Sequence, residues 1–127
     1  MIVLLDTSTP TCKLSLVSES ARVFEWEAGR ALSAGLLRFI QDCLSEEGYS
    51  WGDITGIGVY RGPGSFTGLR IGISVLNALA DTRELPIVGA TGENWTEVAL
   101  ERLRRSESDA IVLPEYGSDA NITTPRK

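Results

Sequence analysis

Residues 61–72 read R-G-P-G-S-F-T-G-L-R-I-G, and this stretch decides the fold. An apolar segment ends just before it at Tyr60, and a second apolar segment begins within it at Phe66. The stretch therefore predicts a sharp corner between a strand and a helix. Its glycines follow neither the G-x-x-x-x-G-K-[ST] nor the G-x-G-x-x-G spacing of phosphate-binding loops.

Two roles for this corner remain open from the residues alone. Ser65 or Thr67 can cap the helix that follows, which makes the stretch a rigid corner. Free amides at the start of a helix can also hold an anion, with Arg61 or Arg70 as counter-charge.

Working outward, hydrophobic periodicity predicts five strands and three helices. The predicted strands are 2–5, 12–16, 23–27, 54–60 and 86–90, and the predicted helices are 31–47, 66–82 and 91–105. We also expect a last short strand at 111–113. Three strands followed by alternating helices and strands, β-β-β-α-β-α-β-α, indicate a mixed five-stranded sheet with helices on its faces. This is the order of the ribonuclease H-like fold, the single lobe of the actin-like ATPase superfamily, over residues 1–113, with a polar C-terminal tail at 114–127.

Composition excludes several classes of function. The chain of 127 residues contains no histidine, which excludes H-E-x-x-H zinc sites and histidine-based catalytic triads. A net charge of -5 argues against binding nucleic acid alone. No apolar run approaches the ~20 residues of a membrane span, and the first residues lack a secretory signal, so we expect a cytoplasmic protein. Cys12 and Cys43 are expected to be reduced core residues.

Asp6 ends the first predicted strand, where ribonuclease H-like nucleases hold a metal. A two-metal site needs several carboxylates around one point, yet the end of the fourth strand carries Arg61 and Gly62. Glu46 and Glu47 lie at the far end of the first predicted helix and have the pattern of solvated surface. We therefore expect Asp6 to be a cap or turn residue, with neither nuclease activity nor a metal site.

The helix after the corner is apolar around too much of its circumference. One arc holds Ile71, Gly72, Val75, Ala78 and Leu79, and the adjoining arc holds Leu69, Ile73, Leu76 and Ala80. Together they span roughly 220°, whereas a helix on one core shows a stripe of ~100° or somewhat more. Part of the excess can pack on the first helix, and the rest predicts a surface for a protein partner.

Three stretches resemble the TsaB (YeaZ) family of bacterial tRNA threonylcarbamoyladenosine biosynthesis proteins. They are the first-strand motif Asp6, Thr7, Ser8; the turn motif Arg61, Gly62, Pro63, Gly64, Ser65, Phe66, Thr67, Gly68, Arg70; and the later strand at 86–89. The resemblance covers roughly residues 2–90. It implies a lobe of the actin-like ATPase superfamily that acts as a non-catalytic scaffold or activator rather than as a peptidase.

The same resemblance implies the partners. Family members pair with the paralogue TsaD, which transfers a threonylcarbamoyl group to the adenosine next to the anticodon in tRNAs reading codons that begin with A. A TsaE-like ATPase joins that pair, and tRNA is reached through the complex. ATP and magnesium then belong to partner subunits, so no cofactor is expected in the isolated chain. Pairing through the first two helices, with TsaD or as a homodimer, leads us to expect contacts at Leu36, Phe39, Ile40, Leu69, Ile73, Leu76, Asn77 and Ala80.

The sequence departs from the family in three places, one of which is residues 91–95, T-G-E-N-W, where the family has a serine-rich stretch. The histidine-serine-glutamate start of the first helix is replaced by residues 31–35, A-L-S-A-G, and the second lobe of the family is expected to be absent. Two other functions stay open. One is a minimal phosphate- or nucleotide-binding or hydrolytic domain that uses Asp6 and the turn at 62–68. The other is a homodimer with a different regulatory use.

Overall fold

Five strands form one mixed sheet in the computed structural model, which describes residues 1–115. The elements in chain order are β1 (Ile2–Asp6), β2 (Thr11–Val17), β3 (Ala21–Glu27), α1 (Leu32–Glu46), β4 (Gly56–Tyr60), α2 (Phe66–Arg83), β5 (Ile87–Ala90) and α3 (Trp95–Arg104). The predicted order is confirmed, and the boundaries differ by a few residues. The predicted tail lies outside the described residues from 116 onward.

The sheet has the strand order β3-β2-β1-β4-β5. Strands β1, β2 and β3 pair antiparallel as consecutive hairpins, whereas β4 and β5 run parallel to β1. Parallel neighbours need crossover connections, and α1 and α2 lie on those crossovers. The predicted mixed sheet of the ribonuclease H-like fold is therefore confirmed.

The main core lies between the sheet and the pair α1 and α2. The alternation of β2 sends Cys12, Leu14 and Leu16 inward, while Lys13 stays exposed. Each large aliphatic side chain buried in this way stabilises the fold by about 1.5–3 kcal/mol. The helices supply the other half of this core with Leu32, Leu36, Ile40 and Leu44 from α1 and Leu69, Ile73, Leu76 and Ala80 from α2.

Helix α3 packs on the opposite face of the sheet. There Ala99 is fully buried against a small second cluster that contains Leu4 and Val88. No helix within residues 1–115 combines the length and the apolar character needed to cross a lipid bilayer.

The predicted strand at 111–113 is wrong. Residues 108 and 109, rather than a sixth strand, bind the outer edge of β5: the Ile87 N–H donates to Ser108 Oγ at 3.1 Å, and the Gly89 N–H donates to Asp109 Oδ2 at 2.8 Å. The Asp109 N–H in turn donates to the Ile87 carbonyl at 2.7 Å. Since these edge groups are already used, no backbone ladder forms along them. We call residues 108–115 the strap, because the segment continues from this edge across α2 and the turn.

Both cysteines are free and buried, as predicted. Burial is the main cause that raises the pKa of Cys12 to about 12 and that of Cys43 to about 11. Because the thiolate is the reactive form, these thiols act as small core residues.

Candidate interaction surface

The corner at 61–72 is closed by hydrogen bonds within the chain. Ser65 caps α2, as predicted, since its Oγ accepts from the Gly68 N–H at 3.3 Å. The Ser65 N–H donates to the Ser8 carbonyl at 2.9 Å, and the Tyr60 hydroxyl donates to the Pro63 carbonyl at 2.9 Å. Two of the corner's amides, those of Ser65 and Gly68, are thus already bound within the chain, which favours the rigid corner over the anion site.

The glycines of the corner allow α2 to lie directly on Thr7. Thr7 is fully buried, and its Oγ1 donates to the Gly68 carbonyl at 2.6 Å. A Cβ at Gly68 would overlap the Thr7 carbonyl oxygen, and a Cβ at Gly72 would overlap the Thr7 side chain. The first-strand motif and the turn motif are therefore two sides of one packing contact.

Asp6 is a turn residue, as predicted. Its Oδ1 accepts from the Ser8 N–H at 2.8 Å, the bond of an Asx turn. Its charge also contributes, after burial, to raising the pKa of Tyr60. Within residues 1–115 no group of three Cys, Asp or Glu side chains is arranged to hold a metal ion, while Glu46 and Glu47 pair with Arg22.

The expected arc of α2 faces the core and not a partner. Leu69, Ile73, Leu76 and Ala80 are each at most 2% exposed, because this arc packs on the sheet. The adjoining arc of α2 is covered only in part, which leaves Ile71, Val75 and Leu79 half-buried. The prediction that Leu69, Ile73, Leu76 and Ala80 contact a partner is therefore wrong.

Two of the three residues predicted on α1, Leu36 and Ile40, are corrected in the same way. Leu36 and Ile40 are fully buried in the core, since they face the sheet. Phe39 is half-buried, with its ring 5.2 Å from that of Trp26. The predicted partner contact of Phe39 stays a prediction, because part of its ring remains exposed.

Asn77 binds the strap. Its Nδ2 donates to the Val112 carbonyl at 2.9 Å, and its Oδ1 accepts from the Val112 N–H at 2.9 Å. Val112 is buried between exposed Ile111 and Leu113. The amide of Asn77 is therefore used within the chain, and its predicted partner contact stays a prediction.

A second set of bonds fixes the start of the strap. Arg102 pairs with Asp109 and with Glu107, and its Nη1 also donates to the Gly89 carbonyl at 3.1 Å. Hydrogen bonding to Arg102 holds the pKa of Asp109 below its usual range. Farther along, the Arg61 Nε donates to the Leu113 carbonyl at 2.9 Å. The strap ties α3, β5, α2 and the turn together.

The surface that remains exposed on α1 and α2 is continuous. Two shallow grooves run between these helices and share Val75 as a lining residue. Leu37 and Phe66 flank them and are 52% and 53% exposed. We call this surface the helical face: Ser33 and Leu37 of α1, with Thr67, Arg70, Ile71, Ser74, Val75, Ala78, Leu79, Thr82 and Arg83 of α2, bordered by the exposed Phe66 and Asp81.

Sequence reasoning missed this face although a signal for it was present. Arg70, Ser74 and Asp81 are polar positions of α2 that lie roughly opposite Leu76 on a helical wheel. The ordinary amphipathic interpretation places those polar residues outward, as the structure does. The unusual feature of α2 is that half-buried aliphatic side chains border the polar residues.

Comparison with known proteins agrees with this geometry. The family model described as TsaD, tRNA N6-adenosine threonylcarbamoyltransferase, matches residues 23–92, more than half of the chain. The tRNA threonylcarbamoyladenosine biosynthesis protein TsaB of Escherichia coli (strain K12) is 37% identical over 91 residues, which is 71% of this chain and 39% of that protein. TsaB of Haemophilus influenzae is 29% identical over 109 residues, 85% of this chain and 45% of that protein.

A solved structure has the same fold. YeaZ from Pseudomonas aeruginosa superposes with a TM-score of 0.68 at 31% identity, over 83% of this chain and 49% of that one. The chain thus spans less than half of the length of these relatives. The part that it spans includes both helices of the helical face and the corner packed on Thr7. On this shared lobe, the chain belongs to the TsaB/YeaZ family.

Proposed function

We propose that this chain is a non-catalytic scaffold or activator subunit that pairs with a TsaD-like paralogue. The pair would act in the threonylcarbamoylation of the adenosine next to the anticodon in tRNAs reading codons that begin with A. The observation that carries the proposal is the helical face on a member of the TsaB/YeaZ family. A cytoplasmic location is part of the proposal.

The composition of the helical face suits a protein partner. Leu37 and Phe66 expose about half of their surfaces, and leaving large apolar side chains in water is unfavourable. Ser74 and Ala78 between them are small, so a partner helix can approach to the 8–10 Å that packed helices adopt. Exposed apolar surface with a polar rim is typical of interaction sites.

The corner supports a structural role over a catalytic one. Its serine, its glycines and Asp6 all act in packing or in hydrogen bonds within the chain. The proposal therefore assigns ATP, magnesium and transfer chemistry to partner subunits, with a TsaE-like ATPase as a further member. A homodimer of the isolated chain through the same face is compatible with it.

The direct test mixes the chain with the TsaD-like protein of the same organism at micromolar concentration. Light scattering after size exclusion should give the mass of a one-to-one pair. Ser74→Arg inserts a long charged side chain into the helical face and should abolish the pair. Ser20→Arg, the matched change at the exposed β2–β3 turn, should leave it intact. A mixture that elutes as two separate proteins would contradict the proposal.

Calorimetry separates this function from a minimal nucleotide-binding domain. Titration of ATP or ADP with magnesium into the isolated chain should give no binding heat. Saturable binding, lost in Asp6→Ala, would instead support a phosphate-binding or hydrolytic domain.

A further inference from the structure

Two opposite charges, Arg70 and Asp81, border one edge of the helical face on α2, and Arg83 lines its far end. Arg70 and Asp81 are both exposed and stand eleven residues apart, which is three helical turns and ~16 Å. Eleven residues at ~100° each return to within ~20° of the same direction, so both charges lie along one edge of the face.

Neither charge is neutralised by another residue in the part of the chain that the structure describes. The ion pairs there use Arg22, Arg38, Arg102, Arg104 and Arg105 as cations. Arg70 lies instead over the Phe66 ring, 5.4 Å from its centre, a contact that leaves its positive charge intact. Asp81 forms no ion pair among residues 1–115. Each charge is thus available to a partner.

The proposed partner should carry an equivalent helix. The family model that matches residues 23–92 is the TsaD model, and these residues include all of α1 and α2. Two lobes that pair through equivalent surfaces are related by an approximate two-fold axis. Such an axis across α2 makes the two equivalent helices antiparallel.

The positions of the charges suit this arrangement. The midpoint between residues 70 and 81 falls between Val75 and Leu76, beside the small side chain of Ser74. An antiparallel helix centred there places its own position equivalent to 81 against Arg70, and its position equivalent to 70 against Asp81. A parallel helix would place equivalent positions side by side, so like charges would repel.

We propose that Arg70 and Asp81 are the specificity-determining residues of the pairing proposed above: they select an antiparallel helix of the TsaD-like partner that presents a carboxylate to Arg70 and a cation to Asp81. Ser74 and Ala78 let the two backbones approach, and the half-buried Ile71 and Val75 receive the partner's apolar side chains. The charges set direction and register, while apolar contact supplies most of the affinity.

The test measures the dissociation constant of the pair formed by the full chain and the TsaD-like protein of the same organism, at low and high salt. Arg70→Glu and Asp81→Arg should each raise it about tenfold at low salt and by less at high salt. Lys13→Glu, an exposed charge reversal on the opposite face of the sheet, is the control and should change it less than twofold. The double variant Arg70→Glu, Asp81→Arg should bind the unaltered partner more weakly than either single variant.

Arg70→Glu and Asp81→Arg are both compatible with a folded α2, because they place an acidic residue nearer the N-terminus of the helix and a basic residue nearer its C-terminus. Circular dichroism checks that all variants keep the wild-type spectrum. If each single variant changes the dissociation constant no more than Lys13→Glu, the charge assignment is overturned although the pairing stands. If the wild-type chain does not pair, the proposed function fails and this inference fails with it.

Self-association provides the last comparison. In a homodimer both copies carry the double variant, so opposite charges still meet and affinity should return to the wild-type value. The double variant could recover wild-type affinity in the homodimer while the charge reversals leave binding to the TsaD-like protein unchanged. That result would show that a second copy of this chain binds the helical face, and it would overturn the assignment to the paralogue.

Discussion

The side chain of Asn77 binds both backbone polar groups of Val112, donating to its carbonyl and accepting from its N–H, each at 2.9 Å. One residue of α2 thus replaces the neighbouring strand that the strap lacks. Because Val112 is only 2% exposed, water reaches these groups poorly, and the amide of Asn77 is their partner.

Asn77→Ala should therefore destabilise the fold by about 1–3 kcal/mol, since it leaves two partly buried backbone groups without partners. Urea unfolding measures this loss, and hydrogen exchange of the Val112 amide should become faster. Gln41→Ala, at an exposed position of α1, should change stability by no more than about 0.5 kcal/mol. Unchanged exchange at Val112 would show that the strap is held by other contacts.

Gly72→Ala should destabilise the fold by about 1–3 kcal/mol, because its Cβ would overlap the Thr7 side chain. Thermal or urea unfolding measures the change. Gly52→Ala is the matched control, since a Cβ there meets only Ser50 Oγ at 3.9 Å.

A double variant identifies the cause of that loss. Combining Gly72→Ala with Thr7→Ala should cost less than the sum of the two single changes, because shortening Thr7 removes the overlap. Strict additivity would show that the two residues do not press on each other.

Leu76→Ala should destabilise the isolated chain by about 2–5 kcal/mol, the usual cost of a large-to-small change at a fully buried site. Leu37→Ala, at a position that is 52% exposed, should leave stability almost unchanged and instead weaken pairing. Unfolding and pairing measured on both variants distinguish the core arc from the helical face. A large loss of stability in Leu37→Ala alone would reverse this assignment.

Asp109→Asn should reveal a pH-dependent part of the stability. Arg102 lowers the pKa of Asp109 in the folded state, so the unfolded chain binds its proton at a higher pH than the folded chain does. The contribution is therefore fully present above the unfolded pKa and is lost as the pH falls through the folded pKa.

The measurement compares the free energy of unfolding of the wild type and of Asp109→Asn from pH 7 down to pH 3. The difference between them should be constant above about pH 5 and should shrink as the pH falls below the usual carboxyl pKa of 3.8. Asp42→Asn, at an exposed i,i+4 pair on α1, serves as the control and should show a much smaller difference. A difference in unfolding free energy that grows as the pH falls would contradict the role assigned to the Arg102–Asp109 pair.

Hydrophobic periodicity predicted most of the fold because most helices and strands bury a single face against one neighbouring layer. The alternation of Cys12, Leu14 and Leu16 requires only that one face of β2 be buried, and it is. The cap at Ser65 follows from its position directly before α2.

Hydrophobic periodicity did not decide which of the two apolar arcs of α2 faces the core. Leu76 and Val75 lie on adjoining arcs, and both are aliphatic, so the wheel contains two candidate inner faces. The sheet covers one and α1 half-covers the other. Only the packing of a second helix distinguishes them, and this depends on contacts distant in sequence.

The short apolar run at 111–113 was misleading for a related reason. Its side chains do alternate, with Val112 inward and its neighbours outward, as in a strand. What prevents pairing is the use of the β5 edge by Ser108 and Asp109. Their role depends on the course of the chain through space, which local propensity does not contain.

The contact of Gly68 and Gly72 with Thr7 also limits how this sequence can change. A larger residue at Gly72 is tolerable only if the side chain at position 7 shrinks in the same lineage, and that change would remove the hydroxyl that binds the Gly68 carbonyl. A larger residue at Gly68 meets the backbone carbonyl of Thr7, which no substitution at position 7 removes. Positions 7 and 72 can therefore change only together, and position 68 must remain glycine. In exchange, α2 meets the first strand at a fixed angle, so selection can alter the outer side chains of the helix without disturbing the angle at which they are presented.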